Sequence, residues 1–321
     1  MHELVKLALD MKKGKITNYT KDEANEVLRQ ELIELNGGSD KLNVKSFRKH
    51  PEMFEIIEQI LDNAISEGLT DQYQDFVETI QLDFGDTMVF TQQENRLFNV
   101  SVISDGNGDL RRDRMDTGEV TIKTKTYGLA VYEELHRILA GRVSFDRLID
   151  NIARSYNAKI QSDIYSAIQN TFPSLHANFK FSGAYDEAVL NRIISHVETK
   201  SQAPAVIMGT KEALGLITRD LMSNEMINDR NRMGYVGMFN GTPMVEIRQV
   251  YRAGTMNFAI ENNLIIAPTG LQPFVKLVLE GDSLIQETTE GRKDMQRDYT
   301  FIKKAGIAVL GSLDYGIYQI R

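Results

Sequence analysis

The side chains that commonly carry out chemistry are few and scattered in this chain. Five histidines occur at positions 2, 50, 136, 176 and 196, and no two of them have a zinc-ligand spacing such as H-x-x-x-H. The chain contains no cysteine, which excludes disulfides, thiolate metal sites and cysteine nucleophiles. No G-x-S-x-G nucleophile elbow occurs either. The sequence therefore offers no catalytic constellation, and we expect neither an enzyme nor a bound cofactor or metal.

One acidic segment imitates the start of a calcium-binding loop. Asp105-x-Asn107-x-Asp109 has the required alternation, but such a loop also needs Gly at its sixth position and Glu at its twelfth. Those positions hold Leu110 and Asp116 here. Gly106-Asn107-Gly108 is not a phosphate loop, because no Gly-Lys-Ser/Thr follows it. We interpret the segment as a dense turn.

Charge and hydropathy limit the partners that the chain can have. The net charge is −8 and the pI is about 5.3, whereas a free-standing nucleic-acid binder normally has a basic face. This balance still allows a surface that encloses DNA. We interpret the basic pairs Lys303-Lys304 and Arg111-Arg112 as salt-bridge partners. No apolar run approaches the ~20 residues that span a membrane, and Met1–Gly14 lacks a signal peptide's apolar core. We therefore expect a protein that is made and used in a cytosol-like compartment, or released by lysis.

The longest element that the sequence predicts is a helix over Ser144–Asn170. Its apolar residues recur at three- and four-residue steps, which is the helical period. Ser144 is suited to cap the N-terminus, and Pro173 prevents continuation. At ~1.5 Å per residue this helix is roughly 40 Å long. It is either a long core helix or a strut between two differently built regions.

Residues 1–85 are predicted to be an N-terminal helical region. Thr20–Leu35 and a helix from Pro51 to Gly68 each have one narrow apolar stripe and an acidic outer face. We expect stripes this narrow to pack on something else, such as a neighbouring subunit.

Residues 86–127 are predicted to form a long two-stranded arm. Met88–Thr91 and Leu97–Ile103 are rich in β-branched and aromatic residues, and Glu119–Tyr127 alternates apolar and basic residues at period two. The outward side chains are too polar to fill a core. Because an isolated hairpin is marginal in water, we expect the arm to lie on another chain.

The remaining chain reads as a short helix, an α/β region and a β-rich tail. The short helix is predicted over Leu129–Leu139. A buried strand is predicted over Ala205–Gly209, and Thr210 is expected to cap the next helix over Lys211–Asp220. Asn224–Arg232 is predicted to be a polar loop. A further helix is predicted over Ala184–Lys200. The other predicted strands are Phe179–Phe181, Met244–Ile247, Met256–Ile260, Leu264–Ala267, Val275–Leu279, Tyr299–Ile302, Ala305–Leu310 and Ile317–Ile320.

This order of elements resembles the major capsid proteins of tailed bacteriophages, the Hong Kong 97 fold that herpesvirus shells and encapsulins share. Val120–Leu139 followed by the long helix resembles the end of the extended arm and the spine helix. Gly237–Val245 resembles the turn and strand of the axial domain, and Phe258–Ile266 the following strand pair. Arg297–Val309 resembles the closing strands of the peripheral domain.

The resemblance implies an α+β fold with four parts. They are an N-terminal arm over residues 1–85, an extended β-loop over 86–127, a peripheral domain over 128–176 and 269–321 with its spine helix over 144–170, and an axial domain over 177–268. Lys123 and Lys125 lie in the arm, but the Lys–Asn cross-linking of some relatives has no matching acceptor that we can assign.

The function that the resemblance implies is structural. The chain is expected to self-assemble into hexamers and pentamers of an icosahedral phage capsid that encloses double-stranded DNA, in a virion assembled in the host cytoplasm. Only about 80 residues precede the arm, so a separate scaffolding protein is expected besides a portal. An encapsulin-like compartment and a soluble α/β enzyme are the alternatives. The candidate inter-subunit contacts are Arg111, Arg112, Asp113, Arg114, Lys123 and Lys125.

Overall fold

A long helix lies between two β-sheets and contacts both of them. The computed structural model describes residues 6–7, 10, 20–41, 51–73, 77–93, 98, 100, 102, 112–113, 117–132, 137, 139–142, 145–217, 223–252, 254–270, 273–288, 298–310 and 315–321. Its α-helices are α1 Lys21–Leu35, α2 Pro51–Tyr73, α3 Phe145–Asn170, α4 Glu187–Ser201, α5 Lys211–Gly215 and α6 Asn224–Met233. The strands are β1 Val77–Leu82, β2 Val89–Gln93, β3 Thr117–Thr121, β4 Lys125–Tyr132, β5 Lys180–Gly183, β6 Ala205–Gly209, β7 Met238–Phe239, β8 Thr242–Glu246, β9 Asn263–Pro268, β10 Val275–Thr288, β11 Asp298–Val309 and β12 Gly316–Ile320.

The two N-terminal helices pack inside the subunit. Thr20 and Glu23 form a capping box at the start of α1, which fixes where that helix begins. The stripes of both helices are buried in one cluster with α3 and the first sheet; their buried residues include Leu28, Leu32, Ile57 and Leu61. The expectation that these stripes pack on a neighbour is therefore wrong for α1 and α2. The predicted end at Gly68 is also wrong, since a helix-interior glycine costs only about 1 kcal/mol.

The first sheet has four strands in the order β1-β10-β11-β4, with β1 parallel to β10 and the other pairs antiparallel. The helix predicted over Leu129–Leu139 is wrong for its first part, because Leu129–Tyr132 continues β4 and pairs with β11. The pieces predicted at Tyr299–Ile302 and Ala305–Leu310 are one strand, and β10 extends nine residues beyond Leu279. β1 was not predicted, and it places residues 77–82 in this sheet rather than in a helical arm.

The second sheet has six strands in the order β5-β12-β9-β6-β8-β7. Every residue of β6 is buried, as predicted for Ala205–Gly209. The C-terminal strand β12 lies between β5 and β9, so residues 316–320 belong to the second sheet. They do not lie in the first sheet with β10 and β11, the other strands of the segment 269–321. The strand predicted over Met256–Ile260 is absent from the described residues there, which turn and form only the bridge Tyr251–Phe258.

The polar segment predicted as a loop over Asn224–Arg232 is helix α6. Ser223 caps its first turn through a hydrogen bond from the Met226 N–H, and Gly234 ends it in the left-handed conformation. Thr210 caps α5 as expected, but that helix ends at Gly215.

Helix α3 starts within one residue of the predicted position and ends where predicted. Ile152 and Ile160 are buried, and the Tyr156 hydroxyl donates a hydrogen bond to the Phe301 carbonyl of β11. Burial raises the pKa of Tyr156 to about 12, so it remains a donor at neutral pH. Further along α3, the Tyr165 hydroxyl donates to the carbonyl of Glu261, just before β9, at 2.9 Å. The helix is thus a strut that joins the two sheets.

Candidate assembly surfaces and the arm root

The base of the predicted arm is a two-stranded antiparallel ribbon. β2 pairs with β3 from Val89–Thr121 to Gln93–Thr117, which confirms pairing for this part of 86–127. The strand predicted over Glu119–Tyr127 breaks at Ile122–Thr124, where the chain leaves the ribbon for β4. We call residues 83–90 and 119–125, with the parts of β10 and β11 that they contact, the arm root.

An apolar contact fixes the arm root on one face of the first sheet. Phe90 and Ile122, from the two sides of the arm, are buried against Val278 of β10. The approach is close at Gly306, where an added Cβ would lie 2.7 Å from Ile122 Cγ2 and 3.0 Å from the Lys123 carbonyl oxygen. A glycine is therefore needed at this position of β11 for the arm to lie against the sheet.

The carboxylate of Glu280 holds both ends of the arm. It accepts a hydrogen bond from the Gly85 N–H, at 3.1 Å, before the arm, and one from the Thr124 hydroxyl after it. Lys304 Nζ of β11 lies 3.1 Å from the same carboxylate and 4.0 Å from the centre of the Phe84 ring. The pKa of Glu280 is lowered by these hydrogen bonds, most by that of the Thr124 hydroxyl, followed by those of the Gly85 N–H and the Lys304 ammonium. Glu280 therefore stays charged at neutral pH.

On the other face of the same sheet, Asp62 of α2 contacts a β-bulge in β10. Glu280 pairs with Lys304 and Leu284 with Ile302, so three residues, Gly281–Ser283, lie opposite Lys303 alone. The Asp62 carboxylate accepts hydrogen bonds from the Ser283 N–H at 2.8 Å and the Ser283 hydroxyl at 2.6 Å.

Lys303 completes this contact from β11. Its ammonium lies 2.5 Å from the Asp62 carboxylate and 2.9 Å from the Gly281 carbonyl oxygen, and its side chain is 3% exposed. One turn earlier on α2, Glu58 accepts a hydrogen bond from the Ile285 N–H at 2.7 Å. Burial raises the pKa of the Glu58 carboxyl, with smaller contributions of the same sign from neighbouring acids.

The six predicted contact residues separate into two groups. Lys123 and Lys125 are exposed and flank Thr124 at the arm root. Arg112 is exposed and Asp113 half-buried, whereas Arg111 and Arg114 lie outside the described residues. The prediction that these residues contact a neighbour stays a prediction. The interpretation of Lys303 and Lys304 as salt-bridge partners is confirmed.

Sequence reasoning missed the residues that fix the arm root. Glu280, Asp62 and Gly306 carry no local motif, since the contacts of Glu280 with Thr124 and Gly85 and of Asp62 with Lys303 span 156 to 241 residues. One signal was available: adjacent residues of a strand point to opposite faces, so Lys303-Lys304 in a β-rich segment implies one acid on each side of the sheet.

Among the described residues, the most exposed large apolar side chains lie in the arm, at its root and at the second sheet. In the arm, Phe98 is 52%, Val100 92% and Val102 104% exposed. At the second sheet, the turn after β8 presents Tyr251 and Phe258, whose rings stack at 5.3 Å, and Met256, which is 93% exposed. Gln249 holds the base of this turn through hydrogen bonds to the Ile260 backbone, so the aromatic pair is presented in a fixed position.

The part of the chain that the structure describes contains no cluster of three or more potential metal ligands. Among the described helices, none is long and apolar enough to cross a membrane.

Solved structures with a similar fold come from phages and from a virus-like particle. A chain of Microbacterium phage Oxtober96 aligns with a TM-score of 0.51 and 10% identity, over 76% of this chain and 89% of its own. A chain of the virus-like particle from Pyrococcus furiosus aligns with a TM-score of 0.48 and 14% identity, over 84% of this chain and 100% of its own. A chain of the mature capsid of bacteriophage PhiM1 aligns with a TM-score of 0.45 and 10% identity, over 77% of this chain and 86% of its own. At these identities the likeness concerns the fold alone, which is of the phage capsid class.

The sequence itself identifies the family. The family model described as "SPbeta prophage-derived putative capsid protein YonB" matches residues 1–318. The chain belongs to this YonB family, and it is a structural capsid protein of phage origin rather than an enzyme. A search of curated proteins found no match.

Proposed function

We propose that the chain self-assembles into the hexamers and pentamers of an icosahedral shell that encloses double-stranded DNA. The observation that carries this proposal is the exposure of apolar side chains in the arm and at the second sheet. Val100, Val102 and Met256 are each at least 92% exposed in the isolated subunit. Exposed apolar groups of this kind mark protein interfaces, and a capsid protein's partner is another copy of itself.

The arm is proposed to lie on an adjacent copy. Its base is fixed at both ends by Glu280, so the arm keeps a defined direction from its own subunit. A two-stranded ribbon is marginal alone in water and gains stability from a surface to lie on. Apolar contacts through Phe98, Val100 and Val102 supply area, and the charged block Arg111–Arg114 with Lys123 and Lys125 sets register.

The second sheet is proposed to supply the axial domain, where copies meet around a capsomer. The stacked pair Tyr251–Phe258 and Met256 form a rigid, amphipathic tip flanked by Arg248 and Arg252, which are exposed. Rigid aromatic side chains lose little conformational entropy on association, and this favours them as contact anchors. In the same scheme the first sheet and α3 form the peripheral domain.

The enclosed DNA needs no sequence-specific site in this scheme. The chain's net charge of −8 suits an inner surface that does not grip the packaged DNA. A portal and a separate scaffolding protein are the further partners proposed, and the capsid of the virion is the site of action.

Light scattering of the full-length chain, followed by imaging of the particles and analysis of their contents, tests the proposal. The expected result is closed shells of megadalton mass, and particles from infected or induced cells that hold nuclease-protected DNA. The triple variant Tyr251→Ser, Met256→Ser, Phe258→Ser should keep its circular dichroism and lose assembly. A stable 36.4 kDa monomer at high concentration contradicts assembly, and a protein cargo in place of DNA indicates an encapsulin-like compartment.

A further inference from the structure

The bulge of β10 is held from both faces of the first sheet by residues from distant parts of the chain. On one face, Glu280 directly before the bulge binds Gly85 and Thr124 of the arm root. On the other face, Ser283 at the end of the bulge binds Asp62 of α2. Only Gly281 and Asp282 separate the two contacts along β10.

The two contacts are also joined across the sheet. Lys303 and Lys304 are consecutive on β11 and point to opposite faces. Lys303 binds Asp62 and the Gly281 carbonyl oxygen within the bulge, and Lys304 binds Glu280. A displacement of Lys303 therefore moves the backbone that also orients Lys304 and Glu280.

Gly281 places the bulge next to the arm root as well. It adopts φ of +64°, and an added Cβ would lie 3.4 Å from the Phe84 ring. The carbonyl oxygen of this residue accepts a hydrogen bond from Lys303, which also binds Asp62 of α2. Gly281 thus leaves little room between the bulge and Phe84 while its backbone is held by Lys303.

We propose that the β10 bulge is a mechanical junction through which the position of α2 sets the orientation of the arm. Ordinary strand pairing fixes the backbone at each residue, whereas a bulge interrupts the ladder locally and leaves its extra residues unpaired. The carboxylates of α2 fix the conformation of these residues, and the arm root is assembled on it. The coupling acts within one subunit and does not depend on the assembled state.

Three backbone amides report on the junction. The Gly85 N–H is held by Glu280, the Ser283 N–H by Asp62 and the Ile285 N–H by Glu58, so hydrogen exchange reads each side separately. Asp62→Asn removes the charge that binds Lys303. It should raise exchange at Ser283 and, by coupling, raise exchange at Gly85 about fivefold or more. Because coupling is reciprocal, Thr124→Val should raise exchange at Ser283 and Ile285.

Matched variants separate coupling from general loss of stability. Ile57→Val weakens the apolar packing of α2 and keeps the carboxylates of Glu58 and Asp62 that bind β10. It should leave Gly85 exchange unchanged after correction for global unfolding. If Asp62→Asn does not fold, Ser283→Ala removes one hydrogen bond of the same contact and serves in its place. Faster exchange at Ser283 with unchanged exchange at Gly85 overturns the proposal, as does an equal rise at Gly85 in Ile57→Val.

Discussion

The two sheets bury different kinds of side chain. The first sheet has Lys276, Glu280, Ser283 and Lys303 buried within it, and each charged one has a partner of opposite charge. The buried polar residues in and next to the second sheet are the neutral Thr210, Thr242 and Asn263. Its interior is otherwise apolar, as in Ile207, Leu264 and Tyr318, all 0% exposed.

The two sheets are therefore stabilised by different kinds of interaction. Apolar packing is non-directional and tolerates little rearrangement, so the second sheet behaves as one body. The charges of the first sheet bind elements that arrive from elsewhere in the chain, namely α2 and the arm. Charge-assisted hydrogen bonds fix direction as well as proximity, which suits a region that must aim an arm at a neighbour. The predictions below test this contrast.

The largest effect is expected from Asp62→Ala. This change leaves the Lys303 ammonium buried without its carboxylate, and it should lower the free energy of unfolding by about 3–5 kcal/mol. Denaturant unfolding measures it. Asp282→Ala, an exposed acid in the same bulge, is the matched control and should cost no more than about 0.5 kcal/mol. The double variant Asp62→Ala, Lys303→Met should recover most of the loss. Equal costs for Asp62 and Asp282 would sink this account of the buried pair.

Leu264→Ala in the second sheet should lower the free energy of unfolding by a similar amount without affecting the arm. Leu264 is 0% exposed, and truncation of a buried leucine costs about 2–5 kcal/mol through lost transfer energy and a cavity. Exchange at Gly85 should stay at its wild-type level after correction for global stability. Val245→Ala, at an exposed position of β8, is the control. A selective loss of Gly85 protection in Leu264→Ala would show that the two sheets are not independent.

Acid should loosen the arm root before it loosens α2. The pKa of Glu280 is lowered in the folded protein, so its stabilising effect is complete above the ordinary value of 4.5 and is lost as the pH falls through the folded pKa. The pKa of Glu58 is raised, so its protonation on acidification relieves a cost and favours the fold. The Gly85 amide chemical shift should titrate below pH 4.5 in wild type and stay flat in Glu280→Gln. Titration of Gly85 above that pH would contradict the assignment.

The smallest effect on the fold is expected from charge reversal in the arm. Arg111, Arg112 and Arg114 are changed together to Glu. Exposed ion pairs are individually worth ~0–1 kcal/mol, but they recur at every subunit boundary of a shell. Circular dichroism and thermal melting should therefore match wild type, while shell formation falls, most at low salt where screening is weak. Normal shells from this variant would refute the contact, and loss of the fold would place the block inside the subunit.

The elements that sequence predicted well are those with local signals. Thr20 and Glu23 mark the start of α1, and the apolar period and Pro173 bound α3. Helix α6 was missed because seven of its ten residues are polar, although Ser223 and Gly234 were visible as caps. The second half of β4, Leu129–Tyr132, was taken for a helix because only its pairing with β11, some 170 residues away, decides its conformation. The arm root could not be predicted for the same reason, since it joins Gly85, Thr124 and Glu280 through long-range contacts alone.

Cryo-electron microscopy of the assembled particle, at a resolution that traces the chain, is the decisive experiment for the arm. We expect the arm root to keep the contacts of Glu280 with Gly85 and Thr124, and Phe98, Val100 and Val102 to be buried against an adjacent copy. We also expect the second sheet to superimpose unchanged on that of the free subunit. An arm folded back on its own subunit, or a shell in which residues 98–102 remain exposed to solvent, would contradict this arrangement.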